Sequence, residues 1–92
     1  MVFIIYRLFQ DKYTFSEEEI GYSYSLNEAC VLAYKQIIKD ANDKSPFNST
    51  NYKYYIHQYE EPVKSIDHPQ SVYVFNASYN CLNDKKQIIW AP

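Results

Sequence analysis

The stretch that decides the fold is SLNEACVLAYKQIIKDA, residues 25–41. It opens with the pattern of a capping box, which predicts that Ser25 accepts a hydrogen bond from the amide of Glu28 and that the Glu28 side chain reaches back. Behind the box, apolar residues recur at steps of three and four, with polar residues opposite. The apolar set is Leu26, Ala29, Cys30, Ala33, Ile37 and Ala41. The pattern predicts an amphipathic helix of about 16 residues that ends near Asn42.

Strand-like segments flank this helix on both sides. Residues 2–9 carry apolar side chains at both parities, which is typical of a central strand. Residues 20–24 alternate between large and small side chains, so we expect the two segments to form an antiparallel hairpin. Its long tip, residues 10–19, is polar and contains glutamates at 17, 18 and 19.

The second half of the chain predicts three more strands. After a polar loop at 42–51, strand-like residues occupy 52–60 and 71–79, and a short terminal strand occupies 87–90. An irregular connection is expected at 63–70 and a turn at 80–86. The order β-β-α-β-β-β predicts a single α+β domain over residues 1–92, with a mostly antiparallel sheet of four to five strands and one helix on one face.

One helix covers only one face of a sheet, so the parity of each strand matters. We predict that the helix packs on Ile4, Tyr54, Ile56, Val72 and Val74. The opposite face then presents the candidate binding surface, which is Arg7, Tyr55, His57, Tyr59, Tyr73 and Phe75. A slip of one residue in any strand would exchange the two faces.

Tyrosine is unusually frequent, with eleven in 92 residues. Its rigid, amphipathic ring is enriched at interfaces, so the leading hypothesis is a protein partner, with self-association as a homodimer. The alternative for the same face is ordinary core beneath the C-terminal segments. Other hypotheses are a small accessory subunit, or a nucleotide-like signalling molecule held at a dimer interface with charge from Arg7, Lys53 and His57. Carboxylates at 17–19 and 60–61 are either solvated loop charge or contacts for a basic partner.

Several function classes are disfavoured by composition. Nine Lys and Arg stand against eleven Asp and Glu, a net charge of −2, which is too acidic for a duplex nucleic-acid binder. Residues 1–6 are apolar but lack a basic leader, and no run approaches a membrane span, so a cytoplasmic location is expected. No nucleophile elbow accompanies the two histidines, His57 and His68. We therefore expect neither catalysis nor a cofactor.

The two cysteines, Cys30 and Cys81, lie 51 positions apart. That spacing predicts neither a disulfide framework nor a zinc pair, and a metal site would need both to converge with His57 and His68 from four separate elements. Cys30 falls on the apolar side of the predicted helix. Reduced thiols, with Cys30 buried, are therefore expected.

Two segments also carry a resemblance. The helix start Tyr24-Ser-Leu-Asn-Glu-Ala29 follows a short Ile/Val/Tyr strand, and Tyr54-Tyr-Ile-His-Gln-Tyr-Glu-Glu61 is a tyrosine-rich strand with an acidic end. In these features the chain resembles small β-β-α-β accessory proteins of bacteriophages and mobile elements. The likeness covers about two-thirds of the chain and leaves residues 63–92 unmatched. It implies an inhibitor of a host protein or a scavenger of a host signal, acting in the host cytoplasm without catalytic residues.

Overall fold

A computed structural model describes residues 1–43, 52–63 and 68–92. These residues form β1 Val2–Gln10, β2 Phe15–Ser23, α1 Leu26–Ala41, β3 Tyr52–Tyr59, β4 Ser71–Phe75, β5 Cys81–Leu82 and β6 Ile88–Trp90. The strands make one antiparallel sheet in the order β2-β1-β3-β4-β5-β6. The predicted α+β class is confirmed, with one strand more than the four or five expected. Most of the loop predicted at 42–51 and half of the connection predicted at 63–70 lie outside the described residues.

The helix α1 follows its prediction closely. It has 16 residues, Ser25 is its N-cap and Asn42 its C-cap, and the Ser25 hydroxyl accepts from the Glu28 amide at 3.4 Å. The second half of the capping box runs through Ser23. The Ser25 amide donates to the Ser23 hydroxyl at 3.2 Å, which in turn donates to the Glu28 carboxylate at 2.8 Å. This described helix is not long and apolar enough to cross a membrane.

The hairpin between β1 and β2 has a shorter tip than predicted. The Asp11 carboxylate accepts hydrogen bonds from the amides of Tyr13 and Thr14 at 2.8 and 2.6 Å, which closes the turn within four residues. The expectation that residues 10–19 form a loop is therefore wrong, and the three glutamates lie in β2. An edge strand tolerates them because its side chains remain exposed, and charge on an edge discourages pairing with a further chain.

A β-bulge interrupts the pairing of β1 with β2. Ile5 lies opposite Gly21, whereas Tyr6 lies opposite Glu19, so β2 carries one extra residue, Ile20. The Ile20 side chain packs against the core. The bulge shifts the alternation of side chains along β2 by one residue.

The core lies between α1 and one face of the sheet. Small residues on the helix let it approach the strands closely, and large side chains from the strands fill the space between them. Ile5 and Ile56 are 1% and 0% exposed. The buried cluster is Phe3, Ile5, Ala29, Cys30, Ala33, Ile56 and Cys81, and the residues packed against it are Ile20, Leu26, Tyr73, Phe75 and Trp90.

Two asparagine-based turns shape the C-terminal strands. The Asn76 side chain accepts from the amides two and four residues ahead, and Asn83 does the same in the next turn. Each turn contains a left-handed residue that is not glycine, Tyr79 with φ 65° and Lys86 with φ 61°. The first turn ends β4 at Phe75 instead of the predicted residue 79, and the two-residue β5 replaces the start of the turn predicted at 80–86.

Candidate binding surface

The register of the sheet decides which residues face the helix. Ile5 pairs with Ile56, and Ile56 pairs with Tyr73, and all three lie in the core or against it. Because directly paired residues point to the same side, odd residues of β1 and even residues of β3 face α1. The placement of Tyr54 and Ile56 on the helix side is confirmed. The placement of Ile4, Val72 and Val74 on that side is wrong, since these residues point away from the helix.

Three of the six predicted surface residues lie on the helix side. Arg7 pairs with Tyr54 in the sheet and donates a hydrogen bond to Asp40 of α1 at 2.8 Å. Tyr73 and Phe75 pack against the core. Their assignment to the uncovered face is wrong because β1 and β4 carry apolar residues at both parities, so alternation alone cannot orient them.

We call the side of the sheet away from α1 the open face. One row of paired residues crosses it over all six strands: Glu19, Tyr6, Tyr55, Val74, Leu82 and Ile88. A second row contains Tyr22, Ile4, His57 and Val72. With strands about 4.8 Å apart, the first row spans roughly 24 Å. Val74 is 38% exposed and Ile88 is 60% exposed, so the row presents accessible apolar surface from its centre to its β6 end.

An aromatic cluster of Tyr6, His57 and Tyr59 lies on the open face. The centroids of the Tyr6 and His57 rings are 4.7 Å apart, and those of His57 and Tyr59 are 6.1 Å apart. The Tyr59 hydroxyl lies 3.2 Å from His57 Nδ1 and also shares a hydrogen bond with the Tyr6 hydroxyl. These contacts hold the three side chains in one arrangement. Tyr55, His57 and Tyr59 point to this face as predicted, but Tyr59 is only 8% exposed and is therefore buried.

Burial sets the charge of the cluster. It raises the pKa of Tyr6, and the hydrogen bond to Tyr59 raises it further. Burial lowers the pKa of His57, and the Glu17 carboxylate opposes this only in part. Both side chains are therefore neutral near pH 7, when an ordinary histidine is already largely uncharged. The centre of the open face is thus aromatic and uncharged.

The β2 edge of the open face is acidic. Glu17 lies opposite Leu8 and Glu19 lies opposite Tyr6, so both carboxylates border the apolar rows. Sequence reasoning placed them at a loop tip and missed this arrangement. The glutamates themselves were the available signal for an edge strand, because charged side chains are common on such strands.

A shallow cavity of about 230 Å³ lies at one end of the open face. The rings of Tyr22 and Tyr24 meet edge to face at 5.9 Å. Glu61 is held by the N-terminal ammonium at 3.6 Å. The lining is Val2, Ile4, Glu19, Tyr22, Tyr24, Glu61, Pro62 and Val63. The apolar floor, the tyrosine rings and the Glu19 carboxylate together suit a cationic side chain.

The two cysteines meet although they are distant in sequence. Cys30 of α1 and Cys81 of β5 are both 0% exposed, and their thiols share a hydrogen bond. Both are free, and the predicted burial of Cys30 is confirmed. His57 lies on the opposite side of the sheet, and His68 is exposed in the connection before β4.

No protein-family model matches the chain, and comparison with curated proteins and with solved structures found no match either. The resemblance to small phage accessory proteins stays a prediction. What the protein binds is therefore inferred from the chemistry of the open face.

Proposed function

We propose that the protein is a non-catalytic binding protein whose open face docks a protein partner, as in a phage-type inhibitor of a host protein. The supporting observation is the row from Tyr6 through Tyr55, Val74 and Leu82 to Ile88, on the side of the sheet away from α1. Val74 and Ile88 are exposed and the other three side chains are half-buried, and accessible apolar surface of this kind marks interaction sites. A standard interface uses about 800 Å² per partner, and the row supplies the centre of such a patch.

The aromatic cluster supplies preformed anchors for binding. Interface energy concentrates in a few residues, among which tyrosine is enriched. Ordering flexible side chains on binding costs roughly 0.5–1.5 kcal/mol each. Tyr6 is already held by its hydrogen bond to the buried Tyr59 and by contact with His57, so most of that cost does not arise for it. The cluster therefore favours a fixed surface over an adaptable one.

The edge of the open face defines the chemistry of the partner. Glu17 and Glu19 border the apolar rows, and the cavity between Tyr22 and Tyr24 adds Glu61. A complementary partner has an apolar centre with lysine or arginine at its margin, and one such side chain fits the cavity. Opposite charges speed association more than they strengthen the final complex.

Sequestration of a nucleotide-like molecule has weaker support. Its positive charge was expected from Arg7, Lys53 and His57. Arg7 lies on the helix side, where it is bonded to Asp40 and Glu18, and the lowered pKa of His57 disfavours its cationic form. Lys53 alone of these three supplies charge to the open face. A ligand bearing phosphate therefore meets an acidic edge and little compensation.

Capture of a partner by immobilised protein tests the proposal. The immobilised protein is exposed to a lysate of cells that carry its gene, or of cells infected by a phage that carries it. Bound proteins are identified by mass spectrometry. Val74→Asp places a charge in the centre of the row and is expected to abolish capture. Leu32→Asp is the matched control because Leu32 is 43% exposed on α1, away from this face. Circular dichroism checks that both variants fold.

Equal capture by the wild type and Val74→Asp would contradict the proposal, as would equal loss in Leu32→Asp. The other candidate occupant of the open face is a second copy of the chain. Sedimentation velocity of the free protein tests for such a dimer. A dimer that Val74→Asp dissociates and Leu32→Asp preserves would make the open face a homodimer interface. A melting screen against nucleotides addresses sequestration, which predicts a clear upward shift.

A further inference from the structure

A buried pair of thiols joins α1 to β5 on the helix side of the sheet. Cys30 and Cys81 belong to one core cluster and share a hydrogen bond. They lie 51 positions apart, so their contact results from the fold and not from local spacing. We propose that this pair is an oxidative modification site, at which exchange with a small disulfide such as oxidised glutathione forms a reversible Cys30–Cys81 disulfide.

The two thiols are not equivalent. The hydrogen bond from Cys81 lowers the pKa of Cys30, although burial opposes this. The same hydrogen bond raises the pKa of Cys81, and burial raises it further. The thiolate is the nucleophile in disulfide exchange. In the proposed exchange Cys30 attacks and Cys81 resolves.

Access to the pair requires local opening of the C-terminal strands, because both thiols are fully buried. Cys81 itself belongs to β5, the shortest strand of the sheet. β5 has two residues, and it pairs with β4 at two positions and with β6 at two positions. Segments with few contacts open at a lower free energy than the whole domain. Lifting β5 and β6 from the core would expose both thiols.

The exchange balances in two steps. The Cys30 thiolate attacks one sulfur of oxidised glutathione, which breaks the glutathione S–S bond, forms a mixed disulfide and releases one glutathione thiolate. The Cys81 thiolate then attacks the Cys30 sulfur and displaces the second glutathione. The two cysteines lose two protons and two electrons, and oxidised glutathione gains them to become two reduced molecules.

The product would tie the helix covalently to the weakest strands. A crosslink between residues far apart in sequence stabilises a domain mainly by restricting its unfolded chain. For a loop of this length we expect the melting temperature to rise by about 10 °C or more. The open face is on the other side of the sheet, so its binding properties do not enter this test.

The test uses the wild-type protein in buffers of defined glutathione ratio, quenched with an alkylating reagent and examined by intact mass. The expected product has lost two hydrogens, carries no glutathione or alkyl group, melts at higher temperature and returns to the starting mass with dithiothreitol. Deuterium exchange at the Cys81 and Leu82 amides reports how often β5 opens under the same conditions.

Two results would overturn the proposal. One is a protein that stays reduced in oxidised glutathione while the β5 amides exchange fully. The other is attachment of glutathione to both cysteines without an internal disulfide. Cys81→Ser separates the roles of the two residues, since it should retain one glutathione on Cys30. If that variant does not fold, the wild-type experiment still decides.

Discussion

Arg7 of β1 and Asp40 of α1 form an ion pair across 33 residues of sequence, with Nη1 2.8 Å from Oδ1. The Asp40 side chain is 7% exposed and lies in the last turns of the helix, where the macrodipole disfavours a carboxylate. Tyr54 donates to its other oxygen at 2.5 Å, and Gln36 donates to Oδ1 at 2.9 Å. The three donors compensate for burial and attach the end of the helix to the sheet.

Removing the Asp40 charge should destabilise the protein strongly. Asp40→Asn keeps the shape of the side chain but leaves the largely buried guanidinium of Arg7 without its inner partner. Breaking such a pair costs about 3 kcal/mol in the free energy of unfolding, measurable by urea denaturation. Glu18→Gln is the control, because Glu18 is about half exposed and an exposed pair contributes less than about 1 kcal/mol. Equal losses in the two variants would refute this account.

Lowering the pH should destabilise the protein because His57 becomes protonated. Burial lowers its pKa in the folded protein, so the unfolded chain, whose histidine titrates near about 6.5, binds the proton more readily. The contribution is complete above that pH and is lost progressively as the pH falls toward the folded pKa. Urea midpoints between about pH 8 and about pH 5 should decline more in the wild type than in His57→Gln. Parallel profiles would show that other groups are responsible.

The Ser23 hydroxyl should matter to the helix although it lies outside it. Ser23 is 6% exposed, accepts from the Ser25 amide and donates to Glu28. Ser23→Ala removes both bonds and leaves the amide without that acceptor, at an expected cost of about 1–2 kcal/mol. Ser16→Ala, in the exposed part of β2, should change stability by less than about 0.5 kcal/mol. Coincident thermal melts for the wild type and Ser23→Ala would contradict a stabilising role for the two hydrogen bonds of Ser23.

Lys86 should be replaceable by glycine with a gain in stability. Its φ of 61° is unfavourable for an L-residue by about 1–2 kcal/mol, and glycine removes this at an entropic cost of about 0.5–1 kcal/mol. We expect Lys86→Gly to raise the free energy of unfolding by about 0.5 kcal/mol. Lys85→Gly, one residue earlier in the same turn, relieves no such strain and should lower it. The opposite ranking in urea would argue against strain at this position.

The helix and the fold class were predictable because their signals are local. Ser25 begins the helix, apolar residues repeat along it, and both features lie within one short segment. The extra strand was not predictable in the same way. Cys81 and Leu82 form β5 only because β4 and β6 lie on either side of them. A segment of two residues is too short to show the periodicity that predicts a strand.

The candidate surface was half predictable for a related reason. In β3 the alternation orients Tyr54 and Ile56 toward the core and His57 away from it, as expected. Arg7 was misplaced because β1 carries apolar residues at both parities, and its buried partner Asp40 is far away in sequence. The contact between the two cysteines was missed for the same reason. Long-range pairing, not residue type, decided each of these positions.

The bulge at Ile20 has a consequence for how the chain tolerates change. Glu18 and Ser23 are an odd number of residues apart, yet both face the helix, because they lie opposite Arg7 and Phe3. Through them one edge strand reaches both ends of α1, Glu18 by way of Arg7 and Asp40, and Ser23 by way of Glu28. At a spacing of five residues, a strand without the bulge would turn one of these two side chains away from the helix. Deleting Ile20 would place Glu18 and Ser23 four residues apart, the spacing of their partners Arg7 and Phe3, so both would still face the helix. Loss of the bulge with every residue kept would instead turn one of the two away from the helix.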